Sequence, residues 1–261
     1  MTSPISPQQQ VAVPGILGGL GPMAHVQFEL RLIQRNVERG ARGDRDHPVW
    51  VLINCTTVPD RTASLRGTGP DCTAELLRYA GLLEQAGASF LVVTCNTAHG
   101  VYDQVQPQLE IPWIHLMACT SGHIRQALPT VQRVGVLATD GTLQCGLYHR
   151  SLRQAGLTPV SFEIDSPRQR RVMDAIYHPD WGIKTTGTQV STKALTVLEQ
   201  ATGWLKTQGA EVVIAGCTEL SVALPQMRSL PLPWVDPLEV VADITLDLAW
   251  GRRSLPLWQA A

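Results

Sequence analysis

The sequence predicts an α/β protein of two similar lobes, each a mainly parallel sheet flanked by helices, related by a pseudo-twofold axis with a site between them. Three observations predict it. The first is a segment that occurs twice. Gly87-Ala88-Ser89-Phe90-Leu91-Val92-Val93-Thr94-Cys95 and Gly209-Ala210-Glu211-Val212-Val213-Ile214-Ala215-Gly216-Cys217 each begin with Gly-Ala, run through apolar and β-branched residues, and deliver a cysteine eight positions after the glycine. The second is what surrounds it. Ile111-Pro112-Trp113-Ile114-His115 follows Cys95 by sixteen residues, and Leu232-Pro233-Trp234-Val235-Asp236 follows Cys217 by fifteen. Gly15-Ile16-Leu17-Gly18-Gly19-Leu20-Gly21 and Gly135-Val136-Leu137-Ala138-Thr139-Asp140-Gly141 precede the two cysteines by 80 and 82 residues. Landmarks recurring at about 120 residues are too far apart for a solenoid and suit a duplicated lobe. The third is composition: 261 residues, 44 % hydrophobic and 16 % charged, can bury a substantial core and do not describe a disordered chain.

Residues 1–12 are Ser/Pro/Gln-rich, with neither the basic nor the apolar region of a signal peptide, and read as a flexible tail. Residues 13–117 together with 237–261 read as the first lobe, and 118–236 as the second. A strand over 11–18 leads through Gly18-Gly19-Leu20-Gly21-Pro22 into a helix over 23–39. After a charged loop, a strand over 49–53 ends at Asn54-Cys55-Thr56, with Arg61 just beyond it. A helix over 73–86 feeds the Cys95 strand, and helices over 96–106 and 119–128 follow. The second opens with a strand at Arg133, then a helix over 141–155, a strand over 159–164 and a helix over 168–177. The breaker-rich run from His178 to Gly187 reads as a loop carrying Lys184. A helix over 190–208 feeds the Cys217 strand, and a last helix over 238–250 packs back on the first lobe.

Each repeated segment reads as a buried parallel strand, and the polar residue after each cysteine as the N-cap of the next helix. That puts each thiol at the carboxyl end of a strand and the mouth of a helix, where open α/β sheets bind ligands and where the helix dipole favours thiolate. Two thiols facing one carbon can remove a proton from one side and return it to the other, which inverts a stereocentre. The glycine turn at Gly19, Leu20 and Gly21, with Asn96, Thr97 and Thr218, supplies donors of the kind a carboxylate needs. A tight turn without a ligand also accounts for those glycines. Pro22 removes a backbone donor from the partial match to a dinucleotide fingerprint. Lys184 has neither the context of a Schiff-base lysine nor a phosphate cup beside it. No cofactor and no metal are expected. Arg61 and Lys184 are the basic residues placed to reach the cleft; a solvated surface role is the commoner fate of either type. His99, four residues after Cys95, either lies beside the thiol or fills the helix–sheet interface.

Together Gly15-Ile16-Leu17-Gly18-Gly19-Leu20-Gly21-Pro22, Pro59-Asp60-Arg61-Thr62, Thr94-Cys95-Asn96-Thr97-Ala98-His99, Gly182-Ile183-Lys184 and Gly216-Cys217-Thr218-Glu219 resemble the aspartate/glutamate racemase superfamily, on its aspartate racemase branch. The resemblance implies a cofactor-independent racemase, with Cys95 and Cys217 as the two bases and Asn96, Thr97 and Thr218 at the substrate α-carboxylate. It implies that Arg61 and Lys184 read a side-chain carboxylate, with aspartate as substrate, and that the protein is a homodimer. Two departures, His25 and Asn54-Cys55-Thr56, lie near the expected cleft. Glutamate, a neutral amino acid or maleate are the alternative substrates within the fold. A two-lobed protein that binds a small acid without chemistry is the alternative outside catalysis, though it needs no cysteine at both strand ends. The net charge of −1 gives no case for nucleic acid or an anionic membrane. Six cysteines without a Cys-x-x-Cys pair fit a reducing cytoplasm.

Overall fold

Apolar runs too hydrophobic to face water become the buried strands of two parallel sheets. The computed structural model describes residues 9–256. The first lobe comprises β1 (Pro14–Gly18), α1 (Pro22–Glu38), β2 (Val51–Asn54), α2 (Arg61–Leu65), α3 (Thr73–Gln85), β3 (Phe90–Val93), α4 (Tyr102–Val105) and α5 (Leu116–Ala127). The second continues with β4 (Arg133–Ala138), α6 (Asp140–Gln144), α7 (Leu147–Gln154), β5 (Thr158–Val160), α8 (Pro167–Tyr177), α9 (Ile183–Thr186) and α10 (Thr192–Thr207). It ends with β6 (Val212–Gly216), α11 (Thr218–Ala223) and β7 (Trp234–Val235), and α12 (Pro237–Ala249) returns to the first lobe.

The sheets run β2-β1-β3 and β5-β4-β6-β7, every pair parallel. The first sheet ends in a single parallel bridge from Leu91 to Trp113, where the second has β7 beside β6. Leu91 N donates to Pro112 O at 2.8 Å, and Val213 N to Pro233 O at 2.9 Å, so both Pro-Trp landmarks take the same edge. The registers agree as well. Gly15 lies opposite Leu91 and Gly135 opposite Val213, each partner four residues before its cysteine. Packing explains both glycines: a Cβ on Gly15 would stand 2.7 Å from Ala88 Cβ, and one on Gly135 3.1 Å from side-chain atoms of Leu205 and Val213. The duplicated lobe is therefore present in topology and in register.

Several elements are shorter than their sequence pattern. The helix expected over 96–106 is broken into a 3₁₀ turn Thr97–Val101, α4 and a second 3₁₀ turn Gln106–Gln108 with Pro107 inside it. The helix expected over 141–155 divides into α6 and α7 at Gly146, which adopts φ +60°. The strand expected over 159–164 is only β5, and the loop around Lys184 contains the single-turn helix α9.

The last helix lies against the first. Arg31, Arg35 and Arg39, spaced by four on α1, face an acidic row on α12. Arg31 meets Asp236 at 2.6 Å, Arg35 approaches Asp243 and Glu239 at 3.7 Å, and Arg39 meets Asp243 and Asp247 at 2.9 Å. The outer pairs are half-exposed and contribute little; Arg31–Asp236 is buried, so losing one partner would strand the other's charge. Of the expected tail, residues 1–8 lie outside the described residues, but its end is tied down. Val11 N donates to Ala249 O at 2.9 Å, and Gln10 Nε2 to Val49 O at 2.7 Å. Among the described residues no helix is long and apolar enough to cross a membrane, and all six cysteines are free.

Candidate active site

Equivalent strand ends deliver the two thiols. Cys95 follows β3 by one residue and Cys217 follows β6 directly. Cys217 is itself the N-cap of α11, in extended conformation, and Thr218 is the first helical residue, so the helix begins one position earlier than the sequence suggests. Asn96 opens the 3₁₀ turn after Cys95 without capping it through its side chain. Both cysteines are buried and line one cavity. The first lobe gives it Leu20, Arg61, Cys95, Asn96 and Thr97, and the second Thr139, Tyr177, Lys184, Cys217, Thr218 and Glu219. Its free space of about 10 Å³ holds about one water, so the lobes must part to admit an amino acid.

On the second-lobe wall Glu219 is the central group. Its Oε1 is ion-paired with Lys184 Nζ, and its Oε2 accepts a hydrogen bond from Cys217 Sγ at 2.9 Å. Burial alone would push the Glu219 carboxyl up, but Lys184 and the hydrogen bonds outweigh it and hold it below the ordinary carboxylate range. Burial would likewise lower Lys184, and the Glu219 charge raises it. The pair is thus ionised. Cys217 is pushed well above the usual thiol range by burial first and by the Glu219 charge second. It is a neutral thiol, hydrogen-bonded to a carboxylate. Gly21 makes room for this group: its backbone is extended, but a Cβ there would collide with Glu219 Oε1.

The first-lobe wall is organised differently. Arg61 reaches the cavity beside Cys95, whose charge and hydrogen bond raise the guanidinium pKa against the lowering effect of burial. Backbone carbonyls already claim its donors: Leu20 O at 2.5 Å, Pro59 O at 3.1 Å and Val58 O at 3.2 Å, while Nε has no partner. Tyr148 O–H donates to Asn96 Oδ1 at 2.5 Å, which leaves Asn96 Nδ2 buried and unpartnered. The Thr97 hydroxyl meets those of Thr139 and Thr142 at 2.9 and 3.0 Å, joining the lobes. The glycine turn departs from the sequence reading. Gly19 N–H is spent on His25 Nδ1 at 3.1 Å, and Asn54 is an exposed residue behind the turn, outside the cavity. Of that turn only Leu20 lines the cavity.

His99 belongs to the interface behind the site. Its Nε2 accepts from Trp113 Nε1 at 3.1 Å and Leu116 N at 3.2 Å, which fixes the proton on Nδ1, 2.9 Å from Cys95 O. Burial, with His115 nearby, lowers its pKa to about 3. Sequence reasoning missed Glu219, Tyr177, Thr139 and Tyr148. Glu219 left a signal, since an acid two residues past a strand-end cysteine falls in the first turn of the next helix, beside that thiol. The other three reach the site only through packing between the lobes.

Comparison with known proteins bears on what this cavity does. The sequence pattern of the Asp/Glu/Hydantoin racemase family matches residues 17–245, which takes in both cysteines and nearly the whole two-lobed body. The chain belongs to that family. It is thereby an isomerase, of the amino acid racemase type. Within the family, it is 26 % identical over 245 residues to the broad specificity amino-acid racemase RacX of Bacillus subtilis, covering 92 % of this chain and 99 % of that one. It is 29 % identical over 157 residues to the glutamate racemase of Corynebacterium kroppenstedtii, covering 58 % of this chain and 50 % of that one. Among solved structures, the aspartate racemase of Picrophilus torridus superposes with a TM-score of 0.76 at 24 % identity, covering 94 % and 96 % of the two chains. The glutamate racemase of Francisella tularensis in complex with D-glutamate superposes at 0.64 and 16 % identity, covering 92 % and 81 %. These two likenesses concern the racemase fold.

Proposed function

We propose that this racemase interconverts L- and D-aspartate by passing the α-proton between Cys95 and Cys217, without a cofactor. One observation carries the proposal: equivalent positions of two repeats each deliver a thiol to the same closed cavity. A neutral Cys217 is ready to give a proton, so in the D-to-L direction Cys95 acts as base and Cys217 as acid. In the L-to-D direction Cys217 takes the proton as a thiolate, its own proton having passed to Glu219 Oε2, and Cys95, protonated from solvent while the cavity is open, returns one to the other face. The substrate α-carboxylate takes the unpartnered Asn96 Nδ2 and the backbone N–H groups at Thr97 and Thr218. These fixed donors, in a cavity that excludes water, lower the energy of the carbanion-like state. Lys184 takes the side-chain carboxylate, and Glu219, released from Lys184, turns to the substrate ammonium. Arg61 has a different part from the one its sequence context suggests. With three carbonyls on its guanidinium it braces the Leu20 turn and places positive charge beside Cys95. Two free thiols in one site call for a reducing compartment, the cytoplasm.

A second reading rests on the same Lys184–Glu219 pair. If the pair persists with substrate bound, the cation is already neutralised and the site suits neutral side chains, in line with the broad specificity named for the Bacillus subtilis relative. Incubating single enantiomers of aspartate, glutamate, alanine and lysine with the protein in deuterated water decides between them. Deuterium should enter the α-carbon of aspartate fastest. Equal entry into alanine would give the second reading, and entry into none would refute proton abstraction.

A further inference from the structure

The imidazole one turn into α1 takes no part in the proton transfer, yet the glycine turn before it is shaped around it. His25 is buried, with its ring laid against Gly18: a Cβ on that glycine would stand 2.7 Å from the imidazole Cγ. Its Nδ1 accepts from the Gly19 N–H at 3.1 Å, which fixes the ring proton on Nε2. Burial lowers the imidazole pKa, against the charge of Glu29 one turn further on, so Nδ1 keeps its lone pair at neutral pH.

We propose that His25 is a positioning residue for the base: by holding the Gly19 N–H it fixes the Leu20 carbonyl, and through it the Arg61 guanidinium beside Cys95. The proposal rests on the reading of Cys95 as the base of the D-to-L direction. Each link is a contact. Gly19 adopts φ +83°, in the left-handed region, and carries no side chain to limit its rotation, so the turn needs anchors to hold one shape. It has them on both sides of that residue. Gly18 O accepts from Cys55 N at 3.1 Å, and Leu20 O accepts from Arg61 Nη2 at 2.5 Å. Between them the Gly19 N–H is buried, and a buried donor without an acceptor drives the backbone to another conformation. His25 Nδ1 is the acceptor it has. Any rearrangement at Gly19 passes to the next carbonyl along, Leu20 O, whose bond to Arg61 is one of three that aim the guanidinium. Arg61 in turn hydrogen-bonds Cys95, and a cation held beside a sulfur favours thiolate over thiol. A histidine that merely filled the core would account for the burial. It would not account for a ring nitrogen aimed at the N–H of the one residue of the turn with positive φ.

Two variants of similar shape separate the acceptor from the bulk. His25→Asn sets an oxygen where Nδ1 stood, and His25→Leu sets a methyl group there. The readout is the rate at which iodoacetamide alkylates Cys95 in the full chain at about pH 7.5, followed by peptide mass spectrometry. In His25→Leu that rate should fall at least ~5-fold, the penalty of an orphaned buried N–H, and in His25→Asn it should stay within about twofold of the parent. A variant that only loosened the fold would expose Cys95 and speed the reaction. Racemisation of aspartate should follow the same order, with the loss in kcat. Equal alkylation rates in the two variants, or the reverse order, overturn the proposal. A parent that does not racemise aspartate, with the order of alkylation intact, refutes the reading of the reaction and leaves the role of His25 standing. Should His25→Leu fail to fold, nitrogen NMR of the parent decides: the His25 signals, assigned by their loss in His25→Asn, must place the ring proton on Nε2, and an Nδ1–H tautomer overturns the proposal.

Discussion

Replacing Glu219 by Gln tests the site at its central group. The amide keeps the shape of the side chain and removes its charge, which now lies between Lys184 Nζ and Cys217 Sγ. The Cys217 thiol, 2.9 Å from Oε2, loses a charge-assisted acceptor worth about 1.5–3 kcal/mol. At about 1.36 kcal/mol per decade, racemisation should slow by about 10- to 160-fold. The equilibrium constant of a racemisation is unity, so kcat/KM must fall equally for both enantiomers whichever thiol is impaired. The impaired step is identified by the isotope effect instead. With Cα-deuterated L-aspartate, whose proton goes to Cys217, the primary effect should rise above that of the parent; with the D-form it should not. The Cys217 pKa, raised in part by the Glu219 charge, should fall, and alkylation by iodoacetamide should begin at lower pH. A thermal melt beside the kinetics separates lost stability from lost catalysis. A kcat/KM within about twofold of the parent would refute a role for Glu219 in moving the Cys217 proton.

Two further outcomes are expected. Tyr148→Phe removes the hydroxyl that holds Asn96 Oδ1, letting the amide turn its oxygen toward the substrate carboxylate; kcat/KM should drop about 2- to 12-fold, mainly through KM, and steady-state kinetics beside a thermal melt would expose a purely structural role. His99 takes its proton at about 3 when folded and at 6.5 when unfolded, so the unfolded chain binds more protons between those values. Its contribution to stability is complete above pH 6.5 and is lost as pH falls toward 3. Urea unfolding from about pH 7.5 to about pH 5 should show a shallower loss in His99→Gln than in the parent, with some slope left by His25, His115 and His149, which burial also lowers. An identical slope would show that His99 does not carry it.

The repeat was readable because each of its parts is local. An apolar run between Gly-Ala and a cysteine makes a buried strand on its own account, and Gly15 and Gly135 mark the register because no side chain fits there. The two cysteines came with that pattern, whereas Lys184 came from the family resemblance of Gly182-Ile183-Lys184. What escaped the sequence depends on contacts between distant residues. The Arg61 donors end on the Leu20 carbonyl 41 positions away, and Tyr148 reaches Asn96 across 52. Neither pairing has a period or a spacing. The glycine turn misled for the same reason: Gly19 was open to an anion on paper, but His25, one turn into α1, takes its N–H. The helix expected over 96–106 did not foresee the 3₁₀ geometry on either side of α4.

The arginine row of α1 has its acidic partners on the last helix, more than 200 residues later: Arg31 waits for Asp236 across 205 positions and Arg39 for Asp247 across 208. At roughly 5–20 residues per second of translation, that interval is about 10–40 s. Throughout it the first half of the chain, though already made, lacks the helix that covers it, and the Arg31 guanidinium has no carboxylate to enter the interior with. The first lobe to be synthesised is thus the last to be completed. The first-lobe wall of the cavity therefore reaches its final form only after α12 has left the ribosome.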